Sequence, residues 1–238
     1  MYSFEGRVRY SECDDAGRLS LVSLINYFQD CSTFQSESLG FGIARLSEER
    51  LAWVLALWRI EIDELPPLGT PIEVSTWCYE MTRAHARRNF ELRGADGRSL
   101  ARADSQWLVF DVDRGRATRV PAEQLVYTSP EPPLEMGPLD RRLRAQGEGA
   151  PCAPLVVGSR SIDTNHHVNN AQYVRFAEDA LIGLGRRVRP RTLSVLYRAQ
   201  AHLGDVVTPV AYERADGWDV DLTDEAGASY ALVRFQER

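Results

Sequence analysis

The feature that most limits the fold is that the chain runs through one order of elements twice. Setting Asp15 against Asp163 brings Leu24-Ile25 onto Gln172-Tyr173, Phe28 onto Phe176 and Asp30 onto Glu178. In each half an Arg-bearing, strand-like stretch then leads to a Leu-Gly, WRIEIDELPPLG ending at Gly69 and LSVLYRAQAHLG ending at Gly204. A second strand follows each, PIEVSTWCYE and DVVTPVAYER. A turn dipeptide comes next, Asp96-Gly97 or Ala226-Gly227, and then a last strand, SLARADSQWLVFDV or ASYALVRFQE. Repetition of a whole supersecondary unit restricts the chain to architectures built from two copies of it.

Local patterns define that unit. Leu21, Leu24, Ile25, Phe28 and Cys31 recur at helical spacing, as do Tyr173, Phe176, Ala177, Ala180, Leu181 and Leu184. Gly183 and Gly185 suit the end of the second helix. The flanking segments are short, β-branched and aromatic, as strands are. One helix with an apolar face and several antiparallel strands satisfy each other when a curved sheet wraps the helix, which predicts an α+β fold. The stretch from Tyr127 to Pro154 is rich in Pro, Gly and charge and reads as a linker. Residues 1–126 and 155–238 are then the two domains.

Bulk properties narrow the function. The chain has 238 residues, 44% hydrophobic and 26% charged, so each half has material for a core. A net charge of −6 argues against general nucleic-acid binding. Every cationic side chain is Arg, so an arginine cluster carries less information here than elsewhere. Cys13, Cys31, Cys78 and Cys152 are scattered without metal-ligand spacing and read as free thiols in a reducing compartment. The charged N-terminus has no signal-peptide core, and the longest apolar run, Leu51 to Trp58, is far too short to span a membrane. The expectation is a cytoplasmic protein without metal, cofactor or membrane attachment, monomeric or homodimeric.

One segment concentrates chemistry. SIDTNHHVNNAQYV, Ser161 to Val174, holds an Asp, three Asn and two of the four histidines just before the second helix. Asp163, Asn165 and His167 alternate, so in an extended strand they share a face and His166 points away. A straight strand separates Asp163 from His167 by roughly 13 Å, unless the chain curls between them. Asn169 or Asn170 suits the helix N-cap, whose N–H groups are candidates for an oxyanion. Asp and Asn equally shape plain turns. In the repeat register above, the first half has Asp15, Gly17 and Leu19 at these places, so the architecture does not demand a histidine. No Gly-x-Ser-x-Gly elbow, HExxH or phosphate loop occurs in the chain. An Asp, an Asn and a His suit water-driven acyl transfer, with a base for water and an amide for the carbonyl.

Those residues resemble a known family. Asp163, Asn165, His167, Val168, Asn169, Asn170 and Tyr173 match the Asp-x-Asn-x-His-Val-Asn-Asn-plus-aromatic motif of the acyl-acyl carrier protein thioesterases, a double hotdog family. AWVLALWRIEI, GTPIEVSTW, RRNFEL, DSQWLVFDVDRGRATRVP and YRAQAHLGD resemble its bacterial branch in order, so the similarity spans Phe4 to Phe235. The resemblance implies two tandem hotdog domains and hydrolysis of a fatty acyl thioester on a carrier protein's phosphopantetheine. It implies catalytic roles for Asp163, Asn165 and His167. The family's further acidic residue falls on Gln200, which orients a water or carbonyl but takes no proton as Glu does. The position of a plant cysteine once proposed as nucleophile is Ala201 here. The first half would supply the acyl pocket, from Leu21, Leu24, Ile25, Phe28 and Trp53, residue types that also make a plain core. GRRVRPR (Gly185 to Arg191) and Arg83, Arg87 and Arg88 are candidates to dock the acidic carrier protein. The alternatives are a hotdog acyl-CoA thioesterase and a non-catalytic acyl-binding module.

Overall fold

Tyr2–Arg7 alternates half-buried and exposed side chains and forms β1 in the computed structural model, which describes residues 1–237. Helix α1 (Leu21–Ser38) starts at Ser20, whose side chain accepts the Ser23 N–H at 3.1 Å. Its apolar stripe is buried from Leu21 through Leu24, Ile25 and Phe28 to Cys31. A short α2 (Ile43–Glu48) precedes strands β2 (Leu51–Ile62), β3 (Pro71–Met81), β4 (Ala86–Gly94), β5 (Ser99–Asp111) and β6 (Arg116–Thr118). Two short strands, β7 (Ala150–Pro151) and β8 (Leu155–Val156), lead to helix α3 (Asn170–Gly183). Strands β9 (Thr192–Tyr197), β10 (Val206–Arg214), β11 (Gly217–Thr223) and β12 (Ser229–Gln236) complete the chain.

The chain forms two compact units. Met1–Ala56 joins Asp63–Gly137 in the first, while Leu57–Ile62 joins the residues from Pro138 onward in the second. In the first unit the strand order is β1-β3-β4-β5-β2, with β6 on β5, and α1 packs on β1 and β3. In the second, Leu57–Ile62 pairs antiparallel with β9, followed by β12, β11 and β10, with β7 and β8 on β10. Helix α3 packs on β10, β11 and β12. The two orders correspond strand for strand, so the duplication extends to topology. Each unit is an antiparallel sheet around a long helix, the hotdog arrangement, and the fold is α+β.

Burial drives both packings. Leu24, Ile25 and Phe28 of α1 are fully buried, and the Phe28 ring lies 5.4 Å from Phe90 of β4. Burying each such side chain contributes about 1.5–3 kcal/mol. On α3, Ala171, Val174, Ala177 and Leu181 form the buried stripe. Gly185, at φ 73°, ends that helix, and the Arg186 N–H returns to the Leu181 carbonyl at 2.9 Å. Asp219 is fully buried and held by Arg234 through two bonds of 2.7 and 2.8 Å.

The Pro-rich stretch follows both units closely. Tyr127 is buried, Trp77 Nε1 donates to the Pro132 carbonyl at 3.0 Å, and the Leu134 N–H donates to Asn89 Oδ1 at 2.8 Å, all in the first unit. Residues 138–154 belong to the second unit, where Leu143 is buried.

Candidate active site

The polar segment before α3 is a tight turn rather than an extended strand. Ile162 and Val168 bridge antiparallel, and the Asp163 N–H donates to the His167 carbonyl at 2.9 Å. The chain reverses through His166, which takes φ 63°. Asp163 Oδ1 accepts the Asn165 N–H at 2.8 Å, and the Asp163 carbonyl accepts the His166 N–H at 3.1 Å. The shared strand face expected from alternation is therefore absent, because an Asp side chain satisfies the turn's N–H in place of a ladder partner. The curl brings Asp163 and His167 opposite each other.

The first unit contains the same turn, and it corrects the repeat register by one residue. The Asp14 N–H donates to the Arg18 carbonyl at 2.7 Å, Asp14 Oδ1 accepts the Ala16 N–H at 2.9 Å, and Cys13 bridges Leu19. Gly17, at φ 72°, stands where His166 stands, and the N-cap Ser20 where Asn169 stands. The equivalents of Asp163, Asn165 and His167 are thus Asp14, Ala16 and Arg18, not Asp15, Gly17 and Leu19. Leu19 matches the buried Val168. The fold accepts an arginine at the His167 position, so the turn itself does not require an imidazole.

Asn169 caps α3, its Oδ1 accepting the Ala171 N–H at 2.9 Å. Its own N–H donates to Ser161, and the Gln172 N–H returns to the Asn169 carbonyl, each at 2.9 Å. The N–H groups of Asn169, Ala171 and Gln172 are therefore committed to the cap and are not oxyanion donors. The Asn165 side chain is exposed and makes no hydrogen bond among the described residues. Its amide is left free to donate.

A second loop, residues 198–205, closes on this turn. The Val168 N–H donates to the Ala201 carbonyl at 2.9 Å, and the Ala201 N–H donates to Tyr173 Oη of α3 at 2.9 Å. Tyr197 Oη donates to the Asn170 carbonyl at 3.0 Å. In the first unit Leu19 N–H donates to Pro66 in the same way, which makes Pro67 the counterpart of His202 and Leu65 that of Gln200. The proline has no N–H; the His202 N–H donates to Asp205 Oδ2 at 2.8 Å. That carboxylate also accepts Tyr230 Oη at 3.3 Å and lies 3.7 Å from His202 Nδ1.

This closure places His202 against His167, ring centroids 4.9 Å apart and planes at 71°. Burial, reinforced by the neighbouring His202, lowers the His167 pKa below its ordinary 6.5, while Asp163 pulls it back up. His167 is thus a neutral imidazole at pH 7 with a carboxylate nearby to stabilise its protonated form. Sequence reasoning missed His202 and its Asp205 partner. Their only signal was that YRAQAHLGD contains one of four histidines, with an Asp three residues on. Gln200 lies half-buried on the same loop.

The remaining candidates lie in the first unit, apart from the segment 185–191 of the second. Leu21, Leu24, Ile25 and Phe28 are buried on α1. Trp53 is half-buried on β2, its Nε1 donating to Gln124 Oε1 at 3.1 Å and its ring edge-on to Tyr127 at 6.5 Å. Of the suggested docking arginines, Arg87 is paired with Asp104 and Arg88 is buried against Gln35 and Thr76. Arg186 lies over the Trp218 ring at 5.6 Å. Among the described residues no three His, Cys, Asp or Glu side chains are grouped to hold a metal ion.

Comparison with known proteins fits this geometry. Residues 1–127 match the family model described as the acyl-ACP thioesterase N-terminal domain, and residues 152–236 match the C-terminal domain. An Arabidopsis thaliana oleoyl-acyl carrier protein thioesterase is 28% identical over 179 residues, covering 68% of this chain and 49% of its own. The chain thus spans about half the length of the curated relatives it matches. A solved acyl-ACP thioesterase from Bacteroides thetaiotaomicron superposes with a TM-score of 0.85 at 26% identity, covering 98% of this chain and 96% of that one. A Lactobacillus plantarum structure described as an oleoyl thioesterase gives 0.86 at 25% identity, covering 99% and 94%. With both halves of one family matched in order along a single polypeptide, the chain belongs to the acyl-ACP thioesterase family.

Proposed function

We propose that this protein hydrolyses the thioester between a fatty acyl chain and the phosphopantetheine of acyl carrier protein, releasing free fatty acid in the cytoplasm. The observation that carries the reading is the turn that sets His167 opposite Asp163 and packs its imidazole against His202. In the reaction His167 takes a proton from water as the oxygen attacks the thioester carbonyl carbon. The Asn165 amide donates to the carbonyl oxygen as it becomes negative. Asp163 stabilises the imidazolium, which then protonates the departing sulfur as the C–S bond breaks. The products are the free acid and the carrier thiol. Gln200 orients the water or the carbonyl from the adjoining loop. Leu21, Leu24, Ile25, Phe28 and Trp53 of the first unit shape the acyl site. Each methylene of the chain gains about 0.8 kcal/mol on burial, so the depth of that site sets chain-length preference steeply.

The test is a release assay with matched acyl-carrier-protein and acyl-CoA substrates across chain lengths. His167→Ala and Asp163→Ala are each expected to reduce turnover ~100-fold or more. Folded variants with wild-type turnover would remove these residues from the mechanism. A preference for CoA substrates would replace the carrier protein as partner.

A further inference from the structure

Residues 140–145 have no regular secondary structure, yet they are held firmly on the second unit. Leu143 is 2% exposed. Arg198 Nη2 donates to the Leu143 carbonyl at 3.0 Å, and Arg234 Nη2 to the Arg144 carbonyl at 3.1 Å. Asp140 Oδ1 accepts the Arg142 N–H at 2.9 Å. Arg234 is itself fixed by the buried Asp219. A strap pinned in this way presents its outward side chains from a fixed backbone.

Those side chains are Arg141, Arg142 and Arg144, all exposed. With Arg198 they line an open cleft of about 500 Å³, together with Tyr212 and Asp221. None of the four guanidinium groups makes an ion pair among the described residues. Asp221 is the one carboxylate in the lining, and it accepts Ser229 Oγ at 2.5 Å. Four unpaired cations around one carboxylate, in a chain of net charge −6, form a local excess of positive charge that attracts an anion. Planar guanidinium forks match phosphate oxygens bidentately, and several around one cleft can engage the same anion. Arg198 also begins the loop that carries Gln200 and His202, so an anion bound there is anchored to the same loop as the proposed catalytic site.

We propose that this cleft binds the phosphate of the phosphopantetheine arm that carries the acyl thioester; the identity of the arm rests on the thioesterase reading above. The test compares binding of 4′-phosphopantetheine and pantetheine by calorimetry at low salt. The variants carry Arg141→Gln, Arg142→Gln and Arg144→Gln together, with Arg198 and Arg234 retained because they hold the strap. Wild type is expected to prefer the phosphorylated ligand by about tenfold or more, the scale of charge-assisted hydrogen bonds. The preference should weaken with added salt and fall within about twofold of unity in the triple variant. No preference in wild type, or a preference that survives the triple change, would overturn the assignment. If the triple variant melts early, the single Arg142→Gln and Arg144→Gln variants carry the same comparison. Binding requires no turnover, so an inactive wild type would defeat the thioesterase reading while leaving the phosphate result to stand or fall alone. Matched carrier-protein and CoA thioesters identify the source: KM rising in the variant for both supports the phosphate, and rising for the carrier protein alone would assign the cleft to that protein's acidic surface instead.

Discussion

The imidazole rings of His167 and His202 meet edge to face, with centroids 4.9 Å apart. Burial disfavours the charge on His167, and the His202 ring beside it adds to the effect. The acid limb of kcat/KM is therefore expected below pH 6.5, where His167 gains its proton. His202→Ala removes one cause of the lowering and should move the limb upward. Asp163→Asn removes the opposing charge and should move it downward in whatever activity remains. A pH–rate profile of each variant checks the signs, and a wild-type limb at or above pH 6.5 would contradict the assignment. The same shift affects stability. The unfolded chain takes up the proton before the native one, so this contribution is complete above pH 6.5 and declines as the pH falls below it. Urea midpoints across that range measure it.

Tyr173 is a positioning residue for the second loop. Its hydroxyl oxygen accepts the N–H of Ala201, which is fully buried. Tyr173→Phe leaves that N–H without its partner, at a cost of about 1–3 kcal/mol. The urea midpoint should fall. Turnover should fall with it, kcat more than KM, because His202 lies on the freed loop. Unchanged kcat in the folded variant would show that the loop needs no such tether.

His166 occupies a left-handed conformation that its first-unit counterpart fills with Gly17. A non-glycine residue there costs roughly 1–2 kcal/mol. His166→Gly is expected to recover up to about 1 kcal/mol in urea denaturation while turnover stays within about twofold. Gly17→Ala should lose a similar amount. A large loss of activity in His166→Gly would bring His166 into the chemistry.

Asp219 is fully buried between Arg234 and Arg214. Asp219→Ala leaves two cations without their shared anion, and about 3–5 kcal/mol of stability should be lost. Because Arg234 also holds the Arg144 carbonyl, protease sensitivity near residues 140–145 should rise in the same variant. Wild-type urea stability would mean that solvent replaces the pair at no cost.

Much of this protein was determined by local chemistry that a linear reading exposes. The apolar period from Leu21 to Cys31 and from Tyr173 to Leu181 specifies two helices, because side chains three and four apart share one face. Asn169 or Asn170 marks the second helix start, since a short amide reaches the orphan N–H groups beyond it, and the folded chain uses Asn169. The concentration of Asp163, Asn165 and His167 marks the candidate site, and the repeated order of elements marks the duplication. Three facts needed the folded chain. Asp14 and Asp15 are adjacent and chemically equivalent, so only the turn's backbone bonds and the positive φ of Gly17 decide which one matches Asp163. The pairing of His167 with His202, and the gathering of Arg198 with Arg141, Arg142 and Arg144, join residues far apart in the chain. Such contacts arise from closure of loops through bonds such as Val168 to Ala201 and Arg198 to Leu143, and no local periodicity encodes them.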